Sequence, residues 1–191
     1  EWLVSIKKKF AKEKIFTIKD NPDYSKIEEA IVWNLDNNIL KKMINIKVFF
    51  SLGAGVDHIL NLTNYKGQPI IRLKDTFMAE RMNNHILLQI LYYQLNFHLF
   101  KEAQLKSTWL DDKEPDLNSK ITIGILGMGY LGTHVGIKLN YLGYKVIGFK
   151  ASKPKQKYPF IVFYKKKDLK KFLNQSDIVA CILPSTPSTF H

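Results

Sequence analysis

The chain has 191 residues, 46% of them apolar, which is enough for one large or two small packed domains, and no apolar run reaches the roughly 18–20 residues of a membrane span. Its single cysteine, Cys181, excludes an internal disulfide framework and points to a reducing, cytoplasmic setting. The formal charge of +12 comes from lysines dispersed in short runs (7–9, 41–42, 165–167) with no interleaved aromatic platform, which reads as solvated lysine faces rather than a nucleic-acid surface, with attraction of small anions as the alternative.

Residues 2–12 read as a helix with Trp2, Leu3, Ile6 and Phe10 on one face. "KIFTIK" (14–19) alternates like a strand, and "NPDY" (21–24) is a turn. "AIVW" (30–33) is a short buried strand, 39–44 a short helix, and "KVFFSL" (47–52) a buried strand that runs into "GAG" (53–55). "VDHILNL" restarts a helix, and "PIIRL" (69–73) is another strand. From Met78 to Lys106 the apolar positions Met82, Ile86, Leu87, Ile90, Leu91, Leu95 and Leu99 keep the spacing of one long helix. The polar stretch "STWLDDKEPDLNS" (107–119) reads as a connection between domains. Beyond it come a strand at 121–126, a helix at 131–142, a strand at 144–149 and a basic loop at 150–159. The strand "FIVFY", the helix "KKDLKKFLNQ" and the strand "DIVACIL" (177–183) follow, with Cys181 expected buried and inert in the last. Strands alternating with helices predict parallel α/β sheets.

The stretch "GILGMGYLG" places Gly127, Gly129 and Gly132 between a strand and a helix, with a second strand ending about 20 residues on. This is the context in which G-x-G-x-x-G binds a dinucleotide. Gly127 permits the tight turn, Gly129 lets a pyrophosphate approach the backbone, and Gly132 lets helix and strand pack closely. Met128, Tyr130 and Leu131 complete the turn, whose helix N-terminus offers N–H groups to phosphate. The next strand ends at Phe149 and its tip is Lys150, followed by Ser152, Lys153, Lys155 and Lys157. An NAD site uses Asp or Glu at that tip to accept from the ribose 2′-OH. Ammonium groups attract a 2′-phosphate instead, and the Ser152 hydroxyl can add a hydrogen bond. The expected cofactor is therefore NADP (NADPH), with NAD as the alternative and a merely solvated lysine loop as the competing reading.

The "FSLGAGVDHI" stretch puts two glycines after a buried strand, and "DTFMAERM" opens the long helix some 20 residues later. With "GILGMGYLG" and "LPSTPST", in this order over almost the whole chain, the sequence resembles the D-isomer-specific 2-hydroxyacid dehydrogenases. The likeness is greatest to their glyoxylate/hydroxypyruvate reductase branch, whose "VW…ALGAGVD" pattern is similar to "IVWN" with "FSLGAGVD" here. The resemblance implies an α/β chain with a flavodoxin-like substrate domain followed by a truncated Rossmann domain. Residues 1–106 would be the substrate domain with its long connecting helix, 107–119 the linker, and 120–191 the first half of the dinucleotide domain. It implies an active site between the domains and a homodimer when full length. The backbone N–H groups of Ala54 and Gly55 would hold the substrate carboxylate, as a glycine-flanked loop at a helix start suits an anion. Trp33 would wall the substrate pocket, or else pack in the core. Leu183, Pro184 and Thr186 of "LPSTP" (183–187) would line the nicotinamide and ribose end. Met78 and Arg81 would face the cleft or the surface, and Asp57 would cap a helix.

Hydride transfer to a 2-oxo acid also needs an arginine for the carboxylate and carbonyl, and a histidine tuned by a carboxylate. The resemblance places all three beyond His191, and an opening strand ahead of residue 1. The chain, starting at Glu1, is expected to be a fragment holding no catalytic residue. None of His58, His85, His98, His134 and His191 stands at a dyad spacing from a carboxylate, and the scattered histidines with one cysteine predict no zinc site. The leading expectation is an NADP-preferring reductase of glyoxylate or hydroxypyruvate. The alternatives are another 2-hydroxyacid dehydrogenase or a non-catalytic dinucleotide sensor or scaffold on the same fold. The partner is a small 2-oxo acid, with no nucleic acid and no membrane expected.

Overall fold

The computed structural model describes residues 2–110, 114–186 and 189. The chain divides into two compact units, Glu1–Leu73 and Lys74–His191.

In the first unit, β1 (Glu29–Val32), β2 (Val48–Ser51) and β3 (Ile70–Arg72) form a parallel sheet in the order β1-β2-β3. Ala30 lies beside Phe49 and Phe49 beside Ile70. The period-2 alternation turns Ala30, Val32 and Phe49 inward, where they meet Leu35, Leu40, Met43, Ile46 and Ile59. The helices are α1 (Trp2–Lys9), α2 (Asn37–Lys42) and α3 (Asp57–Leu60). Asp36 starts α2 by accepting the Asn38 N–H on its carboxylate. Residues 14–19, expected as a strand, do not form one. The Asp20 carboxylate accepts from the Thr17 N–H (2.7 Å) and hydroxyl (2.8 Å), and a 3₁₀ turn forms over Ile18–Asp20. The side chain thus takes the backbone donor that a sheet ladder would have used. Phe16 and Ile18 are left exposed, because no sheet face receives them.

In the second unit, β4 (Thr122–Leu126), β5 (Lys145–Phe149), β6 (Ile161–Phe163) and β7 (Ile178–Cys181) form a parallel sheet in the order β6-β5-β4-β7. Its helices are α4 (Thr76–Gln94), α5 (Phe97–Leu105), α6 (Tyr130–Tyr141) and α7 (Leu169–Asn174). Ile123, Ile125, Val135, Leu139, Tyr144 and Val146 form the core together with Ile90 of α4. Met82, Ile86 and Leu87 pack against that core, so α4 belongs to the second unit by packing. The expected single helix from Met78 to Lys106 is two helices. Asn96 adopts φ 55°, a left-handed conformation that asparagine tolerates, and this breaks the path between α4 and α5.

Gln94, at the end of α4, ties this region together. Its amide donates to the Asp116 carbonyl and to Asn118 Oδ1, both at 2.8 Å, and its oxygen accepts from the Tyr144 hydroxyl at 2.6 Å. Burial pushes the Tyr144 phenol above its ordinary value. A raised folded-state pKa means that the folded unit holds this proton more tightly than the unfolded chain. Its contribution to stability is full below the ordinary tyrosine pKa and is lost as the pH rises through the folded value. Tyr144→Phe is expected to flatten the alkaline fall in stability, as read by denaturant unfolding across the alkaline range. Cys181, expected buried, is exposed. It lies on β7, which has no neighbour on its outer side among the described residues, and the outward phase of that strand carries Val179 and Cys181. No helix among the described residues is long and apolar enough to cross a membrane.

Candidate functional site

The second sheet begins at its centre with β4, steps outward to β5 and β6, then returns to β7 on the other side. The strand order therefore reverses between β4 and β7, where open α/β sheets bind ligands beyond the strands' carboxyl ends. The glycine turn sits there. Gly127 follows β4 at φ 111°, and a Cβ on it would stand 2.6 Å from the Ile182 carbonyl oxygen. Its N–H and that of Met128 both donate to the Phe149 carbonyl, at 2.9 and 3.2 Å. The Met128 side chain is buried, so this residue shapes the turn from inside. A Cβ on Gly132 would overlap the carbonyl oxygen of Gly127. Gly129 contrasts with both, since a Cβ there would meet nothing within 4 Å. It is the N-cap of α6, it has no side chain to cap with, and the first-turn N–H groups at Tyr130 and Leu131 face no intrahelical acceptor. The fit to a pyrophosphate is direct: backbone donors at a helix start, with open space over the second glycine. The Tyr130 ring packs edge-on against His134, with centroids 4.7 Å apart.

Lys150 stays tied to the sheet by its N–H, which donates to the Phe163 carbonyl at 3.0 Å, while its side chain is half-buried. Ser152 and Lys153 are exposed. Among the described residues the ion pairs are Lys26–Asp23, Lys47–Glu28 and Lys120–Asp116. Among the described residues no carboxylate thus pairs with Lys150, Lys153, Lys155 or Lys157, and residues 150–160 contain no acid. Leu183 and Pro184 leave β7 exposed, on the side of the Gly127 turn. The Thr186 N–H donates to Thr189 Oγ1 at 3.0 Å, and that hydroxyl lies 2.5 Å from the Pro184 carbonyl, which folds the loop on itself. Pro187, Ser188 and His191 lie outside the described residues.

In the first unit, Trp33, Ala54 and Gly55 come together. With Asn34, Asp57 and His58 they line an open cleft of about 320 Å³. Trp33 is 64% exposed, so it is a wall and not a core residue. Its ring stands 6.4 Å from that of His58. Among the described residues the Ala54 and Gly55 N–H groups meet no protein acceptor, and Arg72 Nη1 donates to the Ala54 carbonyl at 3.4 Å. Asp57 makes no capping hydrogen bond; its Oδ1 would lie 2.7 Å from a Cβ on Gly55. Met78 is half-buried and Arg81 exposed, both on α4. His98 packs against Tyr92 and Tyr93, and no group of three metal-ligating side chains occurs among the described residues. Sequence reasoning missed Ser51. Its hydroxyl is buried under the glycine loop, and a polar residue on the inward phase of β2 was the available signal.

Residues 87–191 match the family model described as D-isomer specific 2-hydroxyacid dehydrogenase, NAD binding domain. A curated relative, glyoxylate/hydroxypyruvate reductase A of Yersinia enterocolitica, is 32% identical over 173 residues, covering 87% of this chain and 55% of that protein. Among solved structures, the NADPH-dependent glyoxylate/hydroxypyruvate reductase of Sinorhizobium meliloti, in complex with NADP and sulfate, is 32% identical with a TM-score of 0.79, over 91% of this chain and 54% of that one. A D-isomer specific 2-hydroxyacid dehydrogenase of Xanthobacter autotrophicus, in complex with NADPH and MES, is 30% identical with a TM-score of 0.79, over 88% of this chain and 53% of that one. The chain thus spans a little over half the length of these relatives. The matched segment holds the glycine turn, the lysine tip and the strand order that reverses beside them: the chain belongs to the D-isomer specific 2-hydroxyacid dehydrogenase family.

Proposed function

We propose that the full-length protein reduces glyoxylate or hydroxypyruvate to the 2-hydroxy acid with NADPH. The observation that carries this reading is the tip of β5, where Lys150, Lys153, Lys155 and Lys157 stand within eight residues of one another without an acidic neighbour. It is supported by the NADP and NADPH complexes of the similar structures. When bound, NADPH supplies the hydride for the C2 carbonyl. The backbone donors at Gly129, Tyr130 and Leu131 hold the pyrophosphate, and Lys150, Ser152 and Lys153 hold the 2′-phosphate. Leu183, Pro184 and Thr186 line the nicotinamide end. The Ala54 and Gly55 N–H groups orient the substrate carboxylate beside Trp33.

The same reading makes the protein a cytoplasmic homodimer. Phe97, Leu105 and Trp109 of the second unit are exposed apolar side chains that a second copy would cover.

The test is steady-state consumption of NADPH by the full-length protein with glyoxylate and with hydroxypyruvate. Turnover with either supports the proposal. Turnover only with bulkier 2-oxo acids would make it another 2-hydroxyacid dehydrogenase, and binding without turnover would make it a sensor or scaffold. Because lysine–phosphate attraction at an exposed tip is screened, the affinity advantage of NADPH over NADH is expected to shrink when salt rises from about 0.1 to 1 M. Titrations at the two ionic strengths measure that.

A further inference from the structure

The glycine loop of the first unit is organised from beneath by one buried hydroxyl. Ser51 is 2% exposed. Its Oγ accepts the Gly53 N–H at 3.2 Å and lies 3.2 Å from the Gly53 carbonyl and 3.3 Å from the Gly55 carbonyl. His58 Nε2, reaching back from α3, is 3.4 Å from the same oxygen. Ser51 carries one hydrogen, so it can donate in only one direction at a time. A proton on His58 Nε2 settles that choice. The histidine then donates to Ser51 Oγ, and the serine hydrogen must go to the loop carbonyls. The consequence reaches the surface through peptide geometry. In a trans peptide the C=O and the following N–H point in opposite directions, and no cis peptide occurs among the described residues. A Gly53 carbonyl turned inward to Ser51 therefore turns the Ala54 N–H outward, to the cleft.

We propose that Ser51 and His58 are positioning residues that hold the Gly53–Gly55 loop in its anion-accepting conformation, with His58 as donor, Ser51 as relay and the Ala54 N–H as the group presented to a substrate carboxylate. This rests on the reading that the loop binds the 2-oxo acid carboxylate. The side of His58 that faces Trp33 joins the cleft wall, so one imidazole both lines the pocket and sets its backbone.

The experiment is a titration of the isotope-labelled 191-residue chain with oxalate, followed at the backbone amide resonances of Ala54 and Gly55. Wild type, Ser51→Ala, His58→Phe and His58→Gln are compared. Glutamine keeps an N–H donor near the Nε2 position and phenylalanine removes it. The expected result is a shift of both amides in wild type, a loss of affinity of about tenfold in Ser51→Ala and His58→Phe, and recovery in His58→Gln to within about threefold of wild type. Ser51→Ala strands the Gly53 N–H and can unfold the loop, in which case the half-buried position 58 decides alone. If His58→Phe binds oxalate as wild type does, or if His58→Gln is as weak as His58→Phe, the positioning role is overturned while the loop remains a carboxylate site. If wild type shows no shift at Ala54 and Gly55, the carboxylate reading itself falls, and the positioning role falls with it.

Discussion

Gly132→Ala is expected to lower NADPH affinity by more than about a hundredfold and to lower the melting temperature of the dinucleotide unit. The added methyl would overlap the Gly127 carbonyl oxygen, lie 3.1 Å from the Gly127 carbonyl carbon and lie 3.3 Å from Ile125 Cγ2. Two of these three neighbours are backbone, and they belong to the turn that leaves β4. Gly127 cannot retreat, because its own Cβ direction already abuts the Ile182 carbonyl. The helix must move instead. Moving α6 off β4 separates Val135 and Leu139 from Ile123 and Ile125, at a cost of about 1–3 kcal/mol or more. It also displaces the first-turn donors from the phosphate position. Gly129→Ala is the matched control. Its methyl enters empty space, so the fold should melt within a few degrees of wild type while NADPH still binds more weakly, because the phosphate needs that space. Thermal unfolding with NADPH titration separates the two. A Gly132→Ala chain with wild-type melting and wild-type affinity would show that the turn is looser than this packing.

The second large effect is on selectivity. Lys150→Asp combined with Lys153→Ala removes two ammonium groups and puts a carboxylate at the tip of β5. Hydrogen bonds to charged groups contribute about 1.5–3 kcal/mol each, and the new carboxylate repels a 2′-phosphate. NADPH binding should weaken by at least about a hundredfold. NADH should bind as well as before or better, since Asp can accept from the ribose 2′-OH. The variants should not disturb the fold, because Lys150 is fixed to the sheet through its backbone N–H and Lys153 is exposed. Isothermal titration with both nucleotides reads the outcome. Unchanged NADPH binding would mean that the lysines are a solvated face.

Much of the dinucleotide unit was legible because several signals agreed at the same residues. The apolar run of β4, the three glycines and the amphipathic α6 each predict the same turn, and backbone geometry then fixes Gly127 and Gly132 as glycines. The likeness of "IVWN" with "FSLGAGVD" led to the cleft that Trp33, Ala54 and Gly55 share. What was not legible was decided by single local competitions. The alternation at 14–19 is a strand signal, yet the Asp20 carboxylate draws Thr17 into a turn. The heptad-like spacing from Met78 to Lys106 is continuous in sequence, and one left-handed Asn96 interrupts it. Cys181 sits in an apolar run, but its strand has one solvent-facing phase and the cysteine is on it. The Ser51–His58 contact joins positions seven apart through a loop whose path only the fold defines.

The turn after β4 and the lysines after β5 are proposed to form one site for a 2′-phosphorylated dinucleotide. Its most direct test is to titrate the folded chain with NADPH and with NADH in the same buffer and to compare the two dissociation constants. NADPH is expected to bind at least about tenfold more tightly, as one charge-assisted phosphate contact requires. Equal affinities, tighter binding of NADH, or no binding of either would contradict it.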